Sequence, residues 1–284
     1  MKSIRLPQGE TLPALGLGTW RMGESAGSRS AEVAAIRLAV EIGYRVFDTA
    51  EMYGEGRAEL LLGQALGEAV RASAVRREEL FVVSKVYPHN ASRSGTVAAC
   101  ERSLKRLALG HIDLYLLHWP GAHPLMQTIA SFEALQAAGH IRHWGVSNFD
   151  VDAMQSLVAT PGGEGCASNQ VYYSLSERGP EFDLLPWQRE QAMPLMAYSP
   201  VDQGVLAHDR GLARIGERVG ATASQLALAR LMAEPGVMVI PKAVREPHLR
   251  ENFAASELAL TPDDVAEIDR LFPPPRRKSA LAMR

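Results

Sequence analysis

Eight short apolar segments recur along almost the whole chain with helix-length stretches between them, and that alternation limits the folds open to it. They lie at Leu15-Gly16-Leu17-Gly18-Thr19 and near 45–48, 81–84, 113–117, 144–146, 166–169, 195–198 and 238–240. Between them apolar residues return at helical spacing, as at Val33, Ile36, Leu38 and Val40 within 30–42, and again across 57–70. Strands that alternate with helices build a parallel sheet, because a parallel crossover needs about a helix's length of chain. The unbroken apolar run from Leu114 to Leu117 suits a strand covered on both faces. Eight such units predict a (β/α)8 TIM barrel. Ahead of the first strand, Leu6-Pro7-Gln8-Gly9-Glu10-Thr11-Leu12-Pro13 predicts an N-terminal β-hairpin turning at Gln8-Gly9. The 284 residues fit one domain, 1–284, with Pro161-Gly162-Gly163 a turn before the sixth strand and no linker-like stretch elsewhere.

In such a barrel the C-terminal strand ends meet in one mouth, so residues far apart in sequence become neighbours. Asp48 closes Tyr44-Arg45-Val46-Phe47-Asp48, and Tyr53 follows in the next loop. Lys85 closes Leu80-Phe81-Val82-Val83-Ser84-Lys85, and His118 closes Asp113-Leu114-Tyr115-Leu116-Leu117-His118. A phenol, an ammonium, a carboxylate and an imidazole are thereby expected around one pocket. A free phenol, with pKa about 10, is a poor proton donor at neutral pH. An ammonium about 4 Å away favours the phenolate by roughly 4 kcal/mol at an effective dielectric near 20, which predicts a lowered pKa for Tyr53. Asp48 would keep Lys85 charged and aimed, and His118 would steer a carbonyl oxygen toward the phenol. The set suits protonation of a carbonyl oxygen while hydride arrives at its carbon. Taken singly, each residue reads more simply as a cap, a solvated charge or packing; the joint pattern favours catalysis.

The segment Gly43-Tyr44-Arg45-Val46-Phe47-Asp48-Thr49-Ala50, with Tyr53 five residues after the aspartate, resembles the first signature of the aldo-keto reductases. Lys85, Leu117-His118-Trp119-Pro120, Gly145-Val146-Ser147-Asn148-Phe149, Asn169-Gln170, Ala197-Tyr198-Ser199-Pro200 and Ile240-Pro241-Lys242 match later blocks of that family in order. Asp48-Thr49-Ala50-Glu51-Met52-Tyr53, Leu184-Leu185-Pro186-Trp187 and Ala280-Leu281-Ala282-Met283 look most like its bacterial methylglyoxal reductase type. The resemblance implies a carbonyl reductase with Asp48, Tyr53, Lys85 and His118 as catalytic residues, NADPH as cofactor with NADH left open, and a monomer. It implies a cofactor site formed by Gly18, Thr19, Trp20, Asp48, Ser147, Asn148, Gln170 and Tyr198, continuing through Ser199, Pro200, Val201 and Gly204. Lys242, Ala243, Arg245, His248 and Asn252 would hold the adenosine phosphate end. Ala243 stands where many NADPH-binding members have serine and His248 where they commonly have arginine, which weakens the implied phosphate clamp. Trp20, Met52, Tyr87, Trp119 and Phe149 follow strand ends or loops at the same mouth and predict apolar walls for small aldehydes and dicarbonyls.

Other classes find less support. A net charge of −2 gives no electrostatic case for nucleic acid or an anionic membrane. No apolar stretch approaches the roughly 20 residues of a membrane span. Cys100 and Cys166 are the only cysteines, which suits a reducing compartment, and a cytoplasmic protein is expected. Gly16-Leu17-Gly18 lacks the third glycine of a dinucleotide fingerprint. His140 and His143 have no partner that would complete a metal site, and none is expected. Two other functions remain open: a barrel hydrolase using Glu51, Glu55 or Glu59 as paired carboxylates, and a non-catalytic cofactor sensor.

Overall fold

The computed structural model describes residues 2–284. Two short strands, β1 (Ser3–Arg5) and β2 (Thr11–Pro13), pair antiparallel and turn at Gly9, whose φ of 96° lies where side-chain-bearing residues are strained. The barrel units follow: β3 (Gly16–Gly18), α1 (Arg29–Ile42), β4 (Val46–Asp48), α2 (Arg57–Arg71), β5 (Phe81–Val86), α3 (Arg93–Leu107), β6 (Ile112–Leu117) and α4 (Leu125–Ala137). The second half runs β7 (Ile141–Ser147), α5 (Val151–Val158), β8 (Asn169–Tyr172), α6 (Leu184–Glu190), β9 (Leu195–Tyr198), α7 (Arg210–Val219), α8 (Ala223–Met232), β10 (Val237–Val239), α9 (Glu246–Ala255) and α10 (Pro262–Leu271).

Strands β3 to β10 form one parallel sheet of 8 in sequence order. Leu15 bridges Val239 in parallel, Val239 N donates to Ala14 O at 2.9 Å, and Gly18 N donates to Pro241 O at 3.1 Å, so the first and last strands meet. Every residue of β5 and β6 is buried, as expected for strands covered by helices outside and packed side chains within. Helix α2 shows how the cover is made. Ala58, Leu61, Leu62, Ala65, Leu66 and Ala69 recur on one face and are buried, while the arginines at both ends stay out. Burying one such leucine contributes about 1.5–3 kcal/mol. The hairpin plugs the other end of the barrel, where Ile4, Leu6 and Leu12 are buried and Glu10 meets Arg142 and His143 at the start of β7.

One segment departs from the sequence expectation. The sixth strand was expected near 166–169, and the ladder runs Asn169–Tyr172. Ala167 and Ser168 already bond to Trp144 and Val146 on one side, but pairing with β9 begins at Asn169. The shift brings Gln170 level with Ser147 and Met196, at the mouth.

Candidate active site

The register of β4 and β5 places Asp48 beside Val83, so Lys85 extends one further pleat toward the mouth. Its Nζ donates to both Asp48 carboxylate oxygens and to Thr49 O, each at 2.8 Å, and lies 3.3 Å from Tyr53 Oη. Lys85 is fully buried, and four acceptors share the three donors of its ammonium. Tyr53 opens a tight turn over Tyr53–Gly56 in which Gly54 and Glu55 take left-handed φ of 55° and 56°, folding the phenol back over the lysine. His118 follows β6, its N donating to Val86 O at 3.1 Å, and its ring stands edge-on to Tyr53 with centroids 5.8 Å apart.

Burial pushes the Tyr53 phenol well above its ordinary value, with the Asp48 carboxylate and Tyr198 adding to the rise. The lowered pKa expected from Lys85 alone is therefore corrected. Asp48 at 2.8 Å neutralises the ammonium, so the pair presents little net charge and desolvation of the phenolate dominates. Burial lowers Lys85 from its usual value, and the Coulomb pull and hydrogen bond of Asp48 oppose that fall. Burial, then the Lys85 charge, hold His118 well below 6.5, so its imidazole is neutral. Its Nδ1 is buried without a partner among the described residues. An orphaned N–H costs more than an orphaned lone pair, which puts the ring proton on Nε2.

Asp48, Tyr53 and His118 line the floor of a cleft of about 710 Å³, with Lys85 buried beneath them, and the cleft also takes in Gly18, Trp20, Met52, Trp119, Asn148, Gln170 and, from the turn after β9, Tyr198 to Val201, Gln203 and Gly204. Lys242, His248, Glu251 and Asn252 line it as well, beside Thr222 and Ser224 at the start of α8. Gln170 Nε2 donates to Asp48 Oδ1 at 2.8 Å, and its side-chain carbonyl oxygen has no hydrogen-bond partner among the described residues. Asn148, with φ 60°, donates to His118 O at 3.0 Å and accepts from Tyr198 Oη at 2.9 Å. Gly18 is required sterically, since a Cβ there would lie 2.8 Å from Ile240 O. Gly204, at φ 97°, leaves open space around its α-carbon.

Several sequence candidates lie away from the cleft. Ser147 donates to Gln170 O at 2.8 Å and supports Asn148 from behind. Thr19 and Ala243 are buried beneath the surface of the cleft. Phe149 is buried in the core, because the left-handed Asn148 turns the chain inward. Tyr87 packs edge-on against Trp119, centroids 5.5 Å apart, and braces that wall without forming it. Arg245 is exposed, and its Nη2 meets His248 Nε2 at 2.6 Å, so it reaches the cleft only through that ring.

A family profile described as the aldo/keto reductase family matches residues 14–272. The chain belongs to the aldo/keto reductase family. It is 45% identical over 287 residues to the methylglyoxal reductase YeaE of Escherichia coli K12, covering 99% of each chain. It is 33% identical to a glyoxal reductase of Bacillus subtilis, covering 95% of this chain and 92% of that one. Among solved structures, an aldo/keto reductase from Klebsiella pneumoniae in complex with NADP and acetate superposes with a TM-score of 0.94 at 44% identity, covering 100% of this chain and 99% of that one.

For this aldo/keto reductase the hydrolase alternative falls on geometry. Glu51 is buried and accepts from Tyr87 N at 2.7 Å and Asn90 at 3.0 Å. Glu59 is bound to Ser84 and Arg106, and Glu55 points outward to Arg57. Only Asp48 and Glu251 line the cleft as carboxylates among the described residues, and Lys85 holds Asp48. No cluster of metal-binding side chains and no helix long and apolar enough to cross a membrane occurs among them either. Arg21, Glu251 and Arg284 also line the cleft without a signal in the sequence, and Met283, from the Ala280–Met283 motif, lines it beside them.

Proposed function

We propose that this chain is an NADPH-dependent reductase of aldehydes and small dicarbonyls such as methylglyoxal, with Tyr53 as the general acid. The observation that carries the reading is Lys85 Nζ, held by Asp48 at 2.8 Å and standing 3.3 Å from Tyr53 Oη on the floor of the cleft. The names of the relatives, a methylglyoxal reductase and a glyoxal reductase, and the NADP in the Klebsiella structure support it.

The donor set fits a dinucleotide. Gln170 and Asn148 offer carboxamide groups that match a nicotinamide carboxamide, and Tyr198 offers a ring face to stack on. Gly204 leaves room for a close phosphate approach, and Lys242 makes no ion pair among the described residues. Arg245 would act through His248, and Asn252, which lines the same part of the cleft, would take the adenine edge. When bound, the reduced nicotinamide supplies hydride to the carbonyl carbon. His118 Nε2–H orients the carbonyl oxygen toward Tyr53. Its neutral state leaves the proton transfer to the phenol. Tyr53, protonated throughout the neutral range, gives its proton to an oxygen that is turning into an alkoxide, a stronger base than phenolate. Lys85 stabilises the phenolate as it forms, and Asp48 keeps the lysine charged beforehand. Trp20, Met52 and Trp119 supply apolar walls on which a charged sugar would lose hydration without gaining partners.

The test is Tyr53→Phe, which removes the proton and little volume. Methylglyoxal reduction should fall by about 10²–10⁴-fold or more, while the dissociation constant for NADPH stays within a few-fold of wild type. Near wild-type turnover in the variant would remove Tyr53 from the mechanism.

A further inference from the structure

The turn after β9 is unusual in its backbone. Ser199, Asp202 and Gln203 all take left-handed φ, at 49°, 50° and 53°, beside Gly204 at 97°. Three side-chain-bearing residues in that region persist only where the surroundings hold them. Much of the holding falls on Asp202, which is buried. Its Oδ1 accepts from Tyr172 Oη at 2.7 Å and its Oδ2 from Ser176 Oγ at 2.9 Å. Neutral hydroxyls do not balance a buried carboxylate. The cation that does is Arg284, whose Nη1 lies 2.5 Å from Asp202 Oδ1 and whose guanidinium sits over the Tyr172 ring at 5.1 Å. It is the only basic side chain paired with Asp202 among the described residues.

Arg284 touches the other end of the turn as well. Its main-chain N donates to Tyr198 Oη at 3.2 Å, and Tyr198 in turn donates to Asn148. The segment that delivers it is anchored on the way. Lys278 Nζ pairs with Asp152 at 3.2 Å and Asp183 at 3.3 Å, and Leu281 packs on the core. Met283 and Arg284 then line the cleft.

We propose that Arg284 is a positioning residue for the cofactor, clasping the turn 199–204 through Asp202 and Tyr198 so that release of the dinucleotide requires this clasp to open. The proposal rests on the reading that Tyr198 and this turn border the nicotinamide and the diphosphate. Two effects of removing Arg284 act in the same direction. The strained turn loses the contact that joins its ends, and Asp202 becomes an unbalanced negative charge beside the diphosphate.

Three variants test it: Arg284→Ala, Arg284→Lys, and Arg284→Ala combined with Asp202→Asn. Stopped-flow fluorescence with NADPH should show dissociation at least tenfold faster in Arg284→Ala, with intermediate rates in Arg284→Lys. KM for NADPH should rise in step, and kcat should not fall. Adding Asp202→Asn should recover part of the affinity, because it removes the unbalanced charge. In the cofactor-free protein, amide exchange over 199–206 should be faster in Arg284→Ala than in wild type. Dissociation and amide exchange both within twofold of wild type in Arg284→Ala would overturn the clasp, as would a loss confined to kcat. Wild-type protein that fails to bind NADPH would overturn the proposed function instead, and the exchange comparison would still decide whether Arg284 holds the turn.

Discussion

Replacing Lys85 by methionine tests the electrostatic core of the site, because the side chain keeps its length and loses its charge. The Nζ–Oη separation of 3.3 Å corresponds to about 5 kcal/mol between full charges at an effective dielectric near 20. A transition state with half a charge on the phenol forfeits about half of that, or ~10²-fold in rate; complete transfer forfeits nearly 10⁴-fold. Asp48 sharpens the prediction. Left without its lysine it repels the forming phenolate, so Lys85→Met combined with Asp48→Asn should be faster than Lys85→Met alone, although it carries one more change. The same order should hold in melting temperature, since stranding a buried carboxylate costs about 3–5 kcal/mol, and Gln170 at 2.8 Å offers only a neutral partner. Single-turnover NADPH oxidation with saturating methylglyoxal, well below the melting temperature, reads the chemical step. A single variant within tenfold of wild type, or a double variant no faster than the single, would show that the Lys85–Asp48 pair does not act on Tyr53 as argued.

Three further outcomes follow from the structure. Burial holds Tyr53 above and His118 below their ordinary values and lowers Lys85, so the rate of reduction should stay flat from about pH 6.5 upward until Lys85 loses its proton, below the ordinary lysine value of about 10.4; a step near pH 6.5, or an alkaline step that persists in Lys85→Met, would reject the assignment. The depressed His118 also costs stability in acid: the unfolded chain gains a proton below about pH 6.5 that the folded chain refuses. Melting temperatures at pH 7.5 and 5.5 should differ less in His118→Gln than in wild type, and an equal difference would count against a neutral buried ring. Arg245→Ala should weaken NADPH binding about tenfold, a charge-assisted contact contributing about 1–3 kcal/mol, and leave NADH binding unchanged; an unchanged ratio would remove the Arg245–His248 pair from the adenosine phosphate.

What could be read from the sequence was the part fixed by short-range pattern. Asp48, Lys85 and His118 end apolar runs, and a parallel barrel sends every such end to one mouth, so their meeting followed from topology alone. The aromatic walls followed less well. Trp119 and Phe149 both come just after a strand, yet the left-handed Asn148 turns Phe149 into the core, and no spacing rule anticipates one reversed dihedral. The pKa of Tyr53 was misjudged because the sequence reveals which charges are present and not how closely Asp48 cancels Lys85. Arg284 was illegible for a different reason: its contacts with Asp202 and Tyr198 depend on the path of the chain after α10, where no periodicity operates.

The meeting of the first and last strands has a consequence for how the protein comes into being. Gly18 from β3 and Ile240, Pro241 and Lys242 from the end of β10 border the same cleft, so a dinucleotide lying there straddles the join. A nascent chain would have Asp48, Tyr53, Lys85 and His118 in hand when less than half of it had been made. It would have nowhere to seat the reductant until β10 docked against Leu15. A ligand that recognises only the closed ring favours closure by mass action, by about 2.7 kcal/mol at a hundred times its dissociation constant. Cellular NADPH would then act on newly made chains as a latch on the finished barrel before it served any of them as a reagent.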